Sequence, residues 1–179
     1  EILEISKVKF SSKSMRKIFF DLLVSAYQYP LGDEKKEREL FVLRMNLLKH
    51  LGQINDFREF IYNLSNEESF DEWKSWIVKD AFLKLEDEYA CEIVEKISSR
   101  NISEFWQLSQ IFCLLITGRE EEALFTSELV RASGLKDKNF YILLDSMFNN
   151  SSSNEMDLDN LNLLHIVMMD QLKNTIPPE

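Results

Sequence analysis

Apolar residues recur at helical spacing along almost the whole chain. Ile18, Leu22 and Ala26 fall at i, i+4 and i+8. Leu40, Leu43, Leu47 and Leu51 share one face further on, and Phe57, Phe60, Ile61 and Leu64 make the next row. The pattern continues through Trp73, Trp76, Ile77 and Phe82, then Ala90, Val94 and Ile97, then Trp106, Leu108, Ile111, Phe112 and Leu115. Ala123, Leu124, Ser127 and Val130 follow, and Leu161, Leu164, Met168 and Leu172 come last. These rows, with a further segment at 138–148, predict nine helices. Their spans are 16–29, 34–51, 53–64, 69 to about 85, 87–99, 104–117, 119–133, 138–148 and a final one to about 173. The punctuation fits. Pro30, Gly32 and Asp33 separate the first two, and Gly52, Gly118 and Gly134 stand where left-handed C-terminal caps belong. Ser69-Phe70-Asp71-Glu72 has the form of a capping box, Ser103 and Asp137 precede helices, and Asp157 or Asp159 is placed to cap the last.

The turns themselves are periodic. The second residue of successive intrapair turns falls at 52, 86 and 118, so the steps are 34 and 32 residues. One more step lands near 150, in the polar run Asn149-Asn150-Ser151-Ser152-Ser153-Asn154. Two helices per period of this length is the pattern of tetratricopeptide-like arrays, in which each helix pair exposes an apolar face that only a stacked neighbour buries. The expected fold is therefore all-α, a helix-pair α-solenoid over 1–175 with a leading helix and four pairs, and 176–179 starting a linker or tail. Two prolines in Ile176-Pro177-Pro178 cannot continue a helix. The first residue is Glu1 rather than Met, so the sequence is expected to be a trimmed chain, a processed protein or a fragment of a longer one.

Composition sharpens this. Four Gly and three Pro in 179 residues are too few for the turns of an all-β fold. The net charge is -10, a balance that nucleic acid or an anionic bilayer repels in bulk. The acids read either as a solvated surface or as a face for a basic partner. Carboxylate runs such as Glu86-Asp87-Glu88 and Glu120-Glu121-Glu122 sit at helix starts, where they match the dipole without acid–base chemistry. No Gly-rich phosphate loop, nucleophile elbow or zinc spacing is present, so no catalytic, metal or cofactor residue is expected. His50 reads as a helix C-terminal cation and His165 as a hydrogen-bonded packing residue. Trp73, Trp76 and Trp106, joined by Phe140 and Tyr141, read either as inter-helix core or as a partly exposed groove for a partner peptide.

Cys91 and Cys113 lie nearly equidistant from the turn at about 99–102, which puts them at one height in an antiparallel pair. A disulfide closing about 22 residues is feasible there; two buried thiols are the other reading. A bridge suits an oxidising compartment.

Several runs resemble an uncharacterised group of alphaproteobacterial exported helical-repeat proteins. They are Tyr89-Ala90-Cys91-Glu92-Ile93-Val94, Phe105-Trp106-Gln107, Ile111-Phe112-Cys113-Leu114-Leu115 with Gly118, and Leu163-Leu164-His165-Ile166-Val167-Met168 before the prolines. Ser14-Met15-Arg16, Leu22-Leu23 and Arg44 with Leu48 and Leu51-Gly52 resemble its start. The resemblance implies one module of a longer envelope protein and assigns no reaction. The expected function is thus a non-enzymatic protein–protein interaction or scaffold module of the bacterial envelope, periplasmic rather than cytoplasmic, with a protein or peptide partner and no membrane insertion. The alternatives are the non-catalytic superhelical part of a peptidoglycan-acting enzyme, such as a lytic transglycosylase, and a structural spacer.

Overall fold

The computed structural model describes residues 12–25, 34–51, 54–65, 67–149 and 156–175. Among these there are nine α-helices, two short 3-10 turns and no strand. The contacts gather into two compact units, Glu1–Leu64 and Ser65–Glu179, where the sequence reading draws one domain over 1–175.

The first unit holds α1 (Lys13–Val24), α2 (Glu34–His50) and α3 (Ile54–Tyr62), and α2 packs on both others. Ser12 caps α1 by accepting from the Met15 N–H at 3.4 Å. Leu47 and Leu51 of the first predicted row and Phe57 and Ile61 of the second are buried as the periodicity predicts, and Met45 and Leu48 join them in the core. In α1 the face differs. Phe20 is its buried residue, whereas Ile18 and Leu22 are 64% and 53% exposed. The predicted turns at Pro30–Asp33 and Gly52 lie outside the described residues, as do the tail at 176–179 and the predicted fourth turn near 150.

The second unit opens with a 3-10 turn, Glu68–Phe70, that runs directly into α4 (Asp71–Leu83). The capping box is not formed, because the 3-10 turn supplies a backbone acceptor instead: the Phe70 N–H bonds the Glu67 carbonyl. Next come α5 (Asp87–Ser98), α6 (Glu104–Ile116) and α7 (Glu120–Ala132), each packed on the helix before it. α8 (Lys138–Asn149) and α9 (Leu163–Thr175) pack together, and α9 also packs on α4.

The repeat is written in burial and in the turns. Met45, Val78 and Ile111 are 33 residues apart and fully buried. Phe57, Ala90 and Ala123 form a second such series, and Ile61, Val94 and Ser127 a third. Trp73 and Trp106 are equivalents on the same step. The α4–α5 and α6–α7 turns are superimposable in their bonding. Glu86 N–H reaches the Ala81 carbonyl at 3.0 Å, and Arg119 N–H reaches the Leu114 carbonyl at 2.8 Å, the long bond of a Schellman cap. The residue this cap holds at positive φ is Leu85 (58°) in one turn and Gly118 (78°) in the other. The structural register is therefore 33, one residue off each of the 34- and 32-residue steps read from the turns.

Two buried polar clusters fix the second unit's loops. Asp71, 6% exposed, accepts from Arg100 Nη1 at 2.8 Å and again from Nη2, and from Asn101 Nδ2 at 2.6 Å, which ties the α5–α6 turn to the start of α4. His165, 2% exposed, joins α9 to the start of α8. The Asn162 backbone N–H donates to its Nδ1 at 3.1 Å, so the ring proton sits on Nε2 and is donated to Asp137 Oδ2 at 2.9 Å. Asp137 Oδ1 in turn accepts the Phe140 N–H and caps α8. Asn162, not Asp157 or Asp159, caps α9 by accepting from the His165 N–H; Asp157 caps the 3-10 turn Leu158–Asn160.

Candidate functional site

Of the two readings of the aromatic group, the packing fits the inter-helix core rather than an exposed groove. Trp73, Trp106, Phe140 and Tyr141 are all buried, and only Trp76 is half-buried. Trp73 and Trp106 lie on the inward face that recurs at 33 residues, and Phe140 and Tyr141 on the buried face of α8, where large aromatic side chains bury the most apolar area. Tyr141 is covered from outside by the Arg131 guanidinium at 4.2 Å from its ring. Phe82 and Phe112 meet edge to face at 5.4 Å, linking the first helices of successive pairs.

The open feature of the second unit lies elsewhere. A cleft of about 580 Å³ runs over α5, α6 and α7, with Gln171 of α9 at its end. Its floor holds Cys91 and Cys113, which are bonded to each other with Cα atoms 5.5 Å apart. Cys91 lies in the second turn of α5 and Cys113 in the last turn of α6, so one covalent tie clamps the two helices that make the floor. Ile116 adds apolar surface beside it.

The walls are acidic. Glu88, Glu92 and Glu95 lie at i, i+4 and i+7 of α5, which aims them along one stripe into the cleft. Asp87 and Glu122 complete five carboxylates, against one guanidinium, Arg119. Arg119 is already engaged: Nε and Nη2 bond Glu122 at 2.8 and 2.6 Å, and Nη1 is 3.8 Å from Glu95. That contact lifts the arginine's proton affinity and holds the Glu122 carboxyl below its usual range. Lys96 bonds Glu92 from the rim at 2.7 Å.

Asp87 is the distinctive member. Its Oδ2 accepts from Gln171 Nε2 at 2.8 Å, whereas Oδ1 is buried without a hydrogen-bond partner. Burial pushes its carboxyl above the ordinary Asp range, and the Gln171 bond pulls part of the way back. The cleft thus carries a half-buried carboxylate oriented by Gln171. Among the described residues no three His, Cys, Asp or Glu side chains are placed to hold a metal ion.

The sequence reading named the disulfide pair and missed the acids around it. The signal was there in the i, i+4, i+7 spacing of Glu88, Glu92 and Glu95, which helix-dipole matching accounts for only at the first turn.

No family model matches the chain, and neither a curated protein nor a solved structure does. The site is therefore read from its own chemistry. No described helix is long and apolar enough to cross a membrane.

Proposed function

We propose that this chain is a non-enzymatic interaction module of the bacterial cell envelope, a helix-pair scaffold working in the periplasm that holds a basic segment of a partner protein in its acidic cleft. The observation that carries this reading is the cleft itself: five carboxylates against one guanidinium over a clamped floor. A lysine or arginine meets the surplus negative charge of the exposed Glu88, Glu92 and Glu95, while the half-buried Ile116 receives part of the aliphatic stem. The Cys91–Cys113 bond supports an oxidising compartment. The resemblance to exported helical-repeat proteins points the same way.

Zero-length carboxyl–amine cross-linking in intact cells, read by mass spectrometry, tests it. The expected products join Glu88, Glu92 or Glu95 to a lysine of another protein. Cross-links of that partner confined to carboxylates outside the cleft contradict the reading.

A further inference from the structure

The Cys91–Cys113 bond is placed where a solute can meet it. Both residues line the cleft and keep 9% and 7% of their surface exposed, whereas Ala90, Ile97 and Ile111 of the same two helices are fully buried. The bond therefore borders the open space, and the apolar seam of α5 and α6 lies behind it. The repeat itself does not call for the bond. One 33-residue step further on, the equivalent positions hold Leu124 and Ser146, which cannot form one. The seam is apolar on both sides, so opening the bond leaves α5 and α6 packed on each other.

What surrounds the bond decides which reagents open it. Exchange begins when a thiolate attacks one of the two sulfurs. To reach them it must pass Glu88, Glu92 and Glu95 of α5, with Asp87 and Glu122 beside them. The guanidinium of Arg119 offsets little of this, since it is held by Glu122. A thiolate on an anionic carrier is repelled twice over. An ammonium or guanidinium beside the thiol turns the same encounter into an attraction. Charge lining a cleft of one sign changes encounter rates by about 10–10³-fold.

We propose that Cys91–Cys113 is an exchangeable redox site, opened in the cleft by a dithiol that carries basic groups beside its sulfurs and shielded by the acidic walls from anionic thiols. The attacking thiolate bonds to one sulfur, the Cys91–Cys113 bond breaks, and the freed cysteine leaves as a thiolate that takes up a proton. The second thiol of the reductant then gives up its proton and displaces the cysteine still bound. The products are two protein thiols and the reductant's own disulfide, so two electrons have passed from the dithiol to the protein. The site stands apart from the partner proposed above, because it needs only the bond and the charge around it.

The test is the rate of the first exchange step on the oxidised full chain. Three monothiols serve as probes at equal thiolate concentration: cysteamine (cationic), mercaptoethanol (neutral) and mercaptoethanesulfonate (anionic). Alkylation and mass spectrometry count the opened bonds, and hydroxyethyl disulfide, which is uncharged, supplies the intrinsic ratio of the probes. Relative to that ratio, cysteamine should outpace mercaptoethanesulfonate by at least about tenfold at low salt, with helical circular dichroism retained. The preference should shrink several-fold at about 0.5 M salt, and likewise in Glu88→Lys/Glu95→Lys, a reversal at exposed positions. Should that variant misfold, the salt series on the wild type decides alone. A ratio equal to that of the small disulfide, a preference indifferent to salt, or opening only where the helices melt overturns the proposal.

Discussion

Asp87 sets the chemistry of the cleft because it is the carboxylate least well served by the fold. Its folded-state proton affinity is raised by burial. The folded chain therefore holds that proton at a pH where the unfolded chain has released it. Stability falls as pH rises from the ordinary Asp value of about 4 to the raised one, and is level beyond it. Asp87→Asn removes this term while keeping an acceptor for Gln171. Thermal unfolding of both proteins over that range should show the variant gaining on the wild type as pH rises; parallel curves contradict the assignment. Asp71 is the opposite case, a buried carboxylate fully engaged by Arg100 and Asn101. Asp71→Ala leaves both donors unmatched and should cost about 2 kcal/mol or more in a denaturant titration, since hydrogen bonds to charged groups are worth about 1.5–3 kcal/mol. A loss under about 0.5 kcal/mol, the scale of an ordinary surface change, would make the cluster incidental.

The helices were legible in the sequence because their rows of apolar residues are long and because Gly118 and Gly134 mark the stops of α6 and α7. Two details were not legible. Ile18 and Leu22 share a helical face with each other, and periodicity alone does not say which of two apolar faces a helix turns inward; in α1 it is the face with Phe20. The α4–α5 turn ends on Leu85 where its equivalent has Gly118, so the glycine signal is absent from a turn whose hydrogen bonds are the same. That substitution places a side chain at φ 58°, and Leu85 is 57% exposed. Leu85→Gly relieves the left-handed strain and should raise stability by up to about 1 kcal/mol, measured by urea unfolding. A clear destabilisation instead would show that the Leu85 side chain, not the backbone, decides that turn. At the same scale the Cys91–Cys113 bond clamps α5 to α6. Converting both to Ala should cost about 3 kcal/mol on the chain-entropy estimate for a loop of this size. A double variant as stable as the oxidised wild type contradicts that.

At the scale of the molecule, the 33-residue step organises what is buried, and the charge organises what is left outside. The sequence carried the step but not the site. Its aromatic residues, the conspicuous candidates, went mostly to the core, whereas the cleft draws its glutamates from α5 and α7 and its Asp87–Gln171 bond from α5 and α9. No pattern local to one helix marks Gln171 as a neighbour of Asp87, 84 residues away. The central claim is that these carboxylates hold a basic partner. Its most direct measurement is binding of the cross-linked partner segment, by titration, to wild type and to Glu92→Lys/Glu95→Lys, a reversal confined to exposed positions. The account predicts that the folded variant loses at least about tenfold in affinity and that wild-type binding weakens as salt rises. Equal affinity in the folded variant, or binding indifferent to salt, would contradict it.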